Sequence, residues 1–536
     1  MASLSGSSVL LALPVIFRGI HINPLAPGSS NYLLWLLMGY MVVVAVLVVT
    51  FGRLGDMFGR TRMYNLGFAI FTVGSALCAA TWSMGSAGAL ELILFRVVQG
   101  IGGAFLFSNS VAILTDAFPV NQRGMALGLN QVAFIAGSFL GILVGGLLCQ
   151  VGWRWVFVVN VPIGVAGTVW SYLSLREIGV RKRETIDWWG NLTFAAGLTM
   201  LLIGITYGIN PSGASSMSWT TPFVVGMLAG GLVLLTVFIL IEQRVRAPMF
   251  RLKLFRIRAF AAGNAAGFLA AVARGGLMFM LAIWLQGIWL PLHGYDFEVT
   301  PLWAGIHMLP MSIGFLLGGP LFGRLSDRFG ARYFATGGMI LAAVSFALLM
   351  LLPVNFPYLL FALLILLNGL CMGMFIAPNT AAIMNSVPPK HRGVSSGMRA
   401  TLNNIGMPLS IGIFFSLMII GMTASVPAAM YSSLTQHSVP PQVAQQLASA
   451  PPIGYLFAAF LGYNPLATLI PPEVLHTLPA GDVATITSRS FFPQLIAGAF
   501  HHGLTEVLIF SVVMCLVAGA ASWMRGGRYV YREEGE

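Results

Sequence analysis

Gly52-Arg53-Leu54-Gly55-Asp56-Met57-Phe58-Gly59-Arg60-Thr61-Arg62 is a charged, glycine-rich turn between two apolar runs, Tyr32 to Phe51 and Met63 to Ser83. Each run holds about twenty residues, the length a helix needs to cross a hydrocarbon core, so the turn is a short loop between two membrane spans. Its glycines tighten the backbone and its arginines face water. Asp56 can sit near the start of the next helix, where a carboxylate favours the positive end of the dipole and can pair with Arg53 or Arg60.

The turn recurs. Gly323-Arg324-Leu325-Ser326-Asp327-Arg328-Phe329-Gly330 repeats six of its first eight positions at an offset of 271 (323 − 52). A second loop, Arg123-Gly124 with Gly128, returns as Arg392-Gly393 with Gly397 at an offset of 269 (392 − 123). Two loop pairs at nearly one offset mark an internal duplication, an architecture common among secondary transporters.

Composition bounds the class. The chain has 536 residues, 57% hydrophobic and 8% charged, against about 25% charged in a soluble domain. The excess of twelve basic residues (28 − 16) lies in short loops, which reads as cytoplasmic anchoring and not as a nucleic-acid surface. Cys78, Cys149, Cys371 and Cys515 fall within apolar runs without metal-type spacing, so they read as packing residues with no metal site or cofactor implied.

Fourteen spans are expected: Met1–Ile20, Tyr32–Phe51, Met63–Ser83, Gly88–Leu114, Met125–Cys149, Val156–Leu175, Leu192–Ile209, Val224–Ile241, Phe260–Leu290, Ala304–Phe322, Tyr333–Leu352, Tyr358–Met384, Ile405–Thr423 and Leu504–Met524. An even count places both termini on one side. With that side cytoplasmic, Arg18, Arg154 and Arg489 lie outside and Arg96, Arg274 and Arg399 within spans, leaving 22 of 28 basic residues in inner segments. The expected layout is an N-terminal six-helix bundle (1–175), a linker with two extra spans (176–258) and a C-terminal six-helix bundle (259–536) with an inner tail (525–536). The outer segment 425–503 holds an apolar stretch, Ile453 to Ile470, bracketed by Pro451-Pro452 and Pro471-Pro472. A fifteenth span there would put Arg525, Arg528 and Arg532 outside, so an interfacial or outer cap helix is expected.

The turn resembles the helix 2–3 signature of the major facilitator superfamily, and Arg96-Val97-Val98-Gln99-Gly100-Ile101-Gly102-Gly103-Ala104 resembles its helix 4 signature. Trp153-Arg154-Trp155-Val156-Phe157 with Asn160-Val161-Pro162-Ile163-Gly164 is similar to the helix 6 entry of the fourteen-spanner drug:proton antiporter branch. The resemblance covers nearly the whole chain and implies an all-α integral membrane protein of two pseudo-symmetric bundles. The implied role is a secondary exporter of amphiphilic small molecules with protons as coupling ion, working in the lipid bilayer of the plasma membrane. Leu4 to Pro14 resembles the family's helix 1 motif, with Ser5 where the family has Asp and the preceding part of the helix missing, which reads as a truncated first span. A non-transporting or uncoupled membrane protein of the same fold is the alternative.

Candidate residues follow from where charge survives in apolar surroundings, which costs several kcal/mol and is retained mainly beside a cavity or a partner. Arg96 with Gln99 is the main coupling candidate by the resemblance, and a hydrogen bond to a neighbouring helix is the structural alternative. Arg274, beside Gly275-Gly276, reads equally as functional or structural, and Arg399 reads as reaching for the inner surface. For the titrating group the candidates are Glu91, Asp116 and His307. The resemblance assigns Asp116 to a gating network with the turn. Gly52, Arg53, Gly55, Asp56, Gly59, Arg60 and Arg123 are expected to gate, with Gly323, Asp327 and Arg328 as their echo. Gly137, Gly141, Gly145 and Gly146 read as close helix packing, although Gly141-Ile142 replaces the Gly-Pro of the antiporter signature. Asn109, Asn130, Gln131, Gln286, Asn368, Asn379, Asn403 and Asn404 could line a cavity or join helices, and Trp35, Phe134, Met278 and Met280 suggest room for a bulky solute.

Overall fold

A computed structural model describes residues 1–23, 26, 28–118, 123–177, 187–208, 218–245, 248, 250–388, 392–462 and 464–526. The first half contains α1 (Ala2–Gly19), α2 (Ser29–Phe58), α3 (Arg60–Ala79), α4 (Gly85–Ala117), α5 (Arg123–Val151), the short α6 (Trp155–Val158) and α7 (Asn160–Ser174). Next come α8 (Trp188–Gly208) and α9 (Pro222–Arg244). The second half contains α10 (Arg258–Arg274), α11 (Leu277–Trp284), a π turn at Leu285–Trp289, α12 (Leu290–Leu292), α13 (Thr300–His307), α14 (Leu309–Phe329), α15 (Ala331–Met350), α16 (Tyr358–Asn385) and α17 (Arg392–Gln436). After α18 (Pro441–Ala448), α19 (Pro452–Phe460), α20 (Leu466–Leu469), α21 (Pro472–Thr477) and α22 (Ala480–Ile486), the chain returns through α23 (Phe491–Trp523).

The duplication is written into the backbone. α2 stops at Phe58 and α3 starts at Arg60, with Gly59 at φ 109° between them; α14 stops at Phe329 and α15 starts at Ala331, with Gly330 at φ 95°. The offset is again 271 (330 − 59), and both breaks need a backbone conformation that only glycine enters without strain. Within each half the next helices touch through a glycine: Gly67 of α3 lies against Gly102 and Phe105 of α4, and Gly338 of α15 against Cys371 and Phe375 of α16.

The halves meet along two seams, α2 with α17 and α5 with α13. α8 and α9 pack on each other, and α8 also rests on α2 and α17, where Thr50 donates a hydrogen bond to Asn191. The inserted pair therefore covers one seam.

Among the described residues twelve helices are long and apolar enough to cross a membrane. α3 and α5 pack among them but are not in that set: α3 opens with Arg60, Thr61 and Arg62 and carries Asn65, and only Ala136–Val151 of α5 counts as an apolar helix. The lengths also differ from expectation. α17 runs for 45 residues and α23 for 33, both well past the apolar runs that marked them.

Between α17 and α23 the chain makes no helix long enough to span, among the described residues. The stretch Ile453 to Ile470 divides into α19 and α20, nine and four residues long, with Asn464 stapling the break by donating to the carbonyls of Ile486 and Ser488. α19 is buried against both halves. Tyr455, Leu456, Phe457 and Ala458 are at most 1% exposed, and α19 touches α2, the π turn, α17 and α23. Phe457 stacks on Phe415 at 5.5 Å and Phe460 meets Phe279 edge-on at 5.8 Å. This helix is a buried wedge at the face opposite the 52–62 turn, in contact with both halves.

Candidate functional site

The strongest constellation is the turn itself. Arg60 donates through Nε to Asp56 Oδ1 at 2.8 Å and through Nη1 to Asp116 Oδ1 at 2.7 Å, and its Nη1 also reaches the Ala112 carbonyl at 3.2 Å. One guanidinium thus joins the end of α2 to the end of α4, using the planar fork that suits two carboxylates. The three side chains are about a quarter exposed, so water screens part of their attraction.

The surrounding residues shape that latch. Glu177 accepts from the backbone N–H groups of Arg60 and Thr61, both at 3.1 Å, and so caps α3 at its positive end. Arg53 donates to the Pro248 carbonyl, tying the turn to the chain after α9. Gly52 leaves room for Ser108 of α4, and at Gly55 a Cβ would collide with Asn109 Oδ1. The side chain of Arg123, expected to share this network, lies outside the described residues.

The echo is built differently. Gly323 faces Ala377 at the distance Gly52 faces Ser108, 3.7 Å from a notional Cβ in each case. Among the described residues, however, Asp327 has no ion pair, Arg328 lies over the Phe329 ring at 5.3 Å, and Arg332 lies over Trp523 at 3.7 Å. The second turn keeps the backbone and loses the latch.

Arg96 is 1% exposed. Its Nη1 donates to Gln99 Oε1 at 2.6 Å and to Ser5 Oγ at 3.4 Å, its Nε to the Leu36 carbonyl at 3.4 Å, and its guanidinium lies 4.6 Å above the Tyr40 ring. No carboxylate touches it among the described residues. Gln99 passes the chain on, donating from Nε2 to Ser75 Oγ at 2.7 Å. The second half repeats this pair: Asn368 Nδ2 donates to Ser345 Oγ at 2.8 Å, at offsets of 269 (368 − 99) and 270 (345 − 75). Ile365 stands at the position of Arg96 (365 − 96 = 269). Ser75 and Ser345 were missed by sequence reasoning, although the repeat offset would have flagged them.

The remaining candidates are dispersed. Glu91 Oε2 accepts from the Ser83 N–H at 3.1 Å while its Oε1 is buried without a partner. His307, 8% exposed, bonds through Nδ1 to the Trp303 carbonyl at 2.7 Å and meets Tyr358 edge-on at 4.4 Å. Gly137, Gly141 and Gly145 leave no room for a Cβ against Ser3, Leu4 and Ser8 of α1, and Gly146 does the same against Leu302 of α13. Asn109 bonds the Phe51 and Phe105 carbonyls, whereas Asn379 and Asn403 line a cavity. Gln286 is fully buried in the π turn with both amide atoms unpartnered, and the side chain of Gln131 lies outside the described residues.

Two matched helical halves, a one-sided ionic latch and a buried arginine network on helix-lining positions define a multi-pass membrane transporter. The chain belongs to the Major Facilitator Superfamily, whose profile matches residues 1–411. It is 28% identical over 418 residues to the riboflavin transporter RibZ of Clostridioides difficile, covering 78% of this chain and 85% of that protein. It is 28% identical over 392 residues to multidrug resistance protein 3 of Bacillus subtilis, 72% of each chain. The multidrug transporter protein MdtP of the same organism is 25% identical over 518 residues, 95% of this chain and 89% of that one. A bacterial homologue of the human lysosomal transporter Spinster, solved inward-facing and unoccupied, shares the fold with a TM-score of 0.55 at 16% identity, covering 98% of this chain and 95% of that one.

Proposed function

We propose that this chain exports amphiphilic small molecules across the cytoplasmic membrane by alternating access, in exchange for protons. The observation that carries the reading is the latch, because one side chain, Arg60, holds α2 and α4 together through Asp56 and Asp116. Opening it frees the turn face of the first half, which is the motion alternating access requires. The turn face is cytoplasmic in this reading, both termini lie there, and α3 and α5 bring the spans to fourteen. The mobile units are residues 1–175 and 259–536, with 176–258 as the inserted pair.

Bulky organic solutes fit the two multidrug relatives and the riboflavin transporter among the similar proteins. For the proton, Glu91, Asp116 and His307 are the groups to test. Proteoliposomes loaded with a pH indicator and driven by gradients of a lipophilic cation, a neutral drug or an amphiphilic anion read both substrate and coupling. Proton movement with at least one solute, lost in Asp56→Asn protein that is still inserted, is the expected result. Normal efflux by well-expressed Asp56→Asn protein removes the latch from the mechanism.

A second reading, an uncoupled member of the fold, is favoured by one contact: the hydroxyl of Ser5, and no carboxylate, faces Arg96. Proton flux that appears only in Ser5→Asp protein selects it.

A further inference from the structure

The second half contains a small, partly open pocket between α10, α16 and α17, at the end of the bundle nearer the turn face. Its polar lining is Arg274, Arg399, Asn264, Asn379, Thr380 and Asn403, and no carboxylate contributes to it. Among the described residues neither arginine has a hydrogen bond or an ion pair. Arg274 meets only the Phe315 ring, at 5.6 Å. Arg399 keeps its Nε buried without a partner.

Neither arginine is explained by structure alone. The α10–α11 break beside Arg274 is satisfied by Ser410, which donates to the Val272 carbonyl at 2.5 Å and accepts from the Gly276 N–H at 2.9 Å. Gly275 and Gly276 fit the break directly against Met407 and Phe414. Arg399, half-buried, lines the same pocket. A third arginine stands behind the lining: Arg525, 5% exposed, donates to Asn379 Oδ1 and leaves Nε and Nη1 unpartnered. Burial lowers its pKa only to about 10, so it stays charged at neutral pH. At the position of Arg399 the first half has Asn130 (399 − 269).

Arg274 and Arg399 line one pocket with no carboxylate among its described lining residues, and Arg525 bonds a residue of that lining; positive charge gathered in a low dielectric is costly, and that cost is offset when an anion enters. Arginine forks match the oxygens of a phosphate or carboxylate. Phe268, Met372, Phe375 and Ile376 line the same space, giving an apolar wall beside the charge. We propose that this cavity binds the phosphate or carboxylate head of an anionic amphiphile, gripped by Arg274 and Arg399, with its tail on the aromatic and Met side. The assignment deepens the exporter reading by naming a substrate class, and rests on it only for the step from binding to transport.

The test uses the full chain in phosphatidylcholine nanodiscs, with dodecyl phosphate and dodecyltrimethylammonium as probes. Saturable binding of dodecyl phosphate, competed by inorganic phosphate at high concentration and absent for the cation, is expected of the native chain, so this arm needs no variant. Arg274→Gln and Arg399→Gln should each weaken binding about tenfold or more, and Arg399→Lys less, because the charge survives and the fork does not. Equal binding of both probes, or binding untouched in folded Arg274→Gln and Arg399→Gln proteins, overturns the site. Doping the nanodiscs with phosphatidylglycerol separates sources: loss of probe binding in proportion to the lipid identifies a membrane anion as occupant, and no loss identifies a solute. Arginine-dependent binding without transport would sink the exporter reading and keep the site; transport insensitive to both arginines would do the reverse.

Discussion

The turns at 52–62 and 323–332 share much of a sequence, a backbone break and a glycine with positive φ, yet among the described residues only the first holds an ion-pair network. In the first, Arg60 finds Asp56 and Asp116, and Glu177 caps the following helix. In the second, Ala331 stands where Arg60 stands in the first (331 − 60 = 271), and Arg328 and Arg332 lie on aromatic rings. The backbone is duplicated, and among the described residues the ion-pair network is found in one copy.

The comparison can be broken at graded cost. Asp56→Asn should cut transport tenfold or more with insertion unchanged, whereas Asp327→Asn should change it about twofold or less, since it breaks no ion pair; parallel efflux assays decide, and equal losses would erase the asymmetry. Next is the buried pair in each half. Gln99→Leu strips Arg96 of its shortest bond and should cost about 3 kcal/mol, read as a lowered thermal unfolding midpoint in detergent. Asn368→Leu should cost nearer about 1 kcal/mol, because its partner is a neutral hydroxyl. A smaller contrast separates the helix breaks. Gly330→Ala meets no neighbour within 4 Å and carries only the backbone strain, about 1–3 kcal/mol. Gly59→Ala adds a contact at 2.6 Å from Glu177 Oε2 and should unfold at a lower temperature. The least effect is expected of Glu177→Gln, about 0.5 kcal/mol from a weakened helix cap, with the unfolding midpoint moving less than for either glycine.

Much of this was legible along the chain. The glycines of the turn, the 271-residue offset and the isolated Arg96 all stand out where charge and turn residues are scarce. Asp56, Arg60 and Asp116 were readable as a group by resemblance, and the backbone then places them within 2.8 Å of one another through Arg60. Other parts gave no signal. Ser75 is one hydroxyl in a helix full of small residues, and Ser410 looks like an ordinary packing position. Arg525 reads as the start of a charged tail, but the end of α23 tucks it against α16. In the outer segment, the expectation of an interfacial or outer cap helix gave no sign that Ile453 to Ile470 divides at Asn464-Pro465 or that α19 is buried against both halves.

Sequence alone determined the membrane class, the repeat and the charged turn, because helix rise and bilayer thickness impose run lengths and because glycine and charge are conspicuous against an apolar background. Only the tertiary structure decided which turn carries the latch, that Arg96 faces Ser5 without a carboxylate, and that Arg274 and Arg399 share one cavity. Those pairings join residues 56, 91 and 125 positions apart (116 − 60, 96 − 5, 399 − 274). Contacts at such separations leave no period in the chain and are set by how the helices pack.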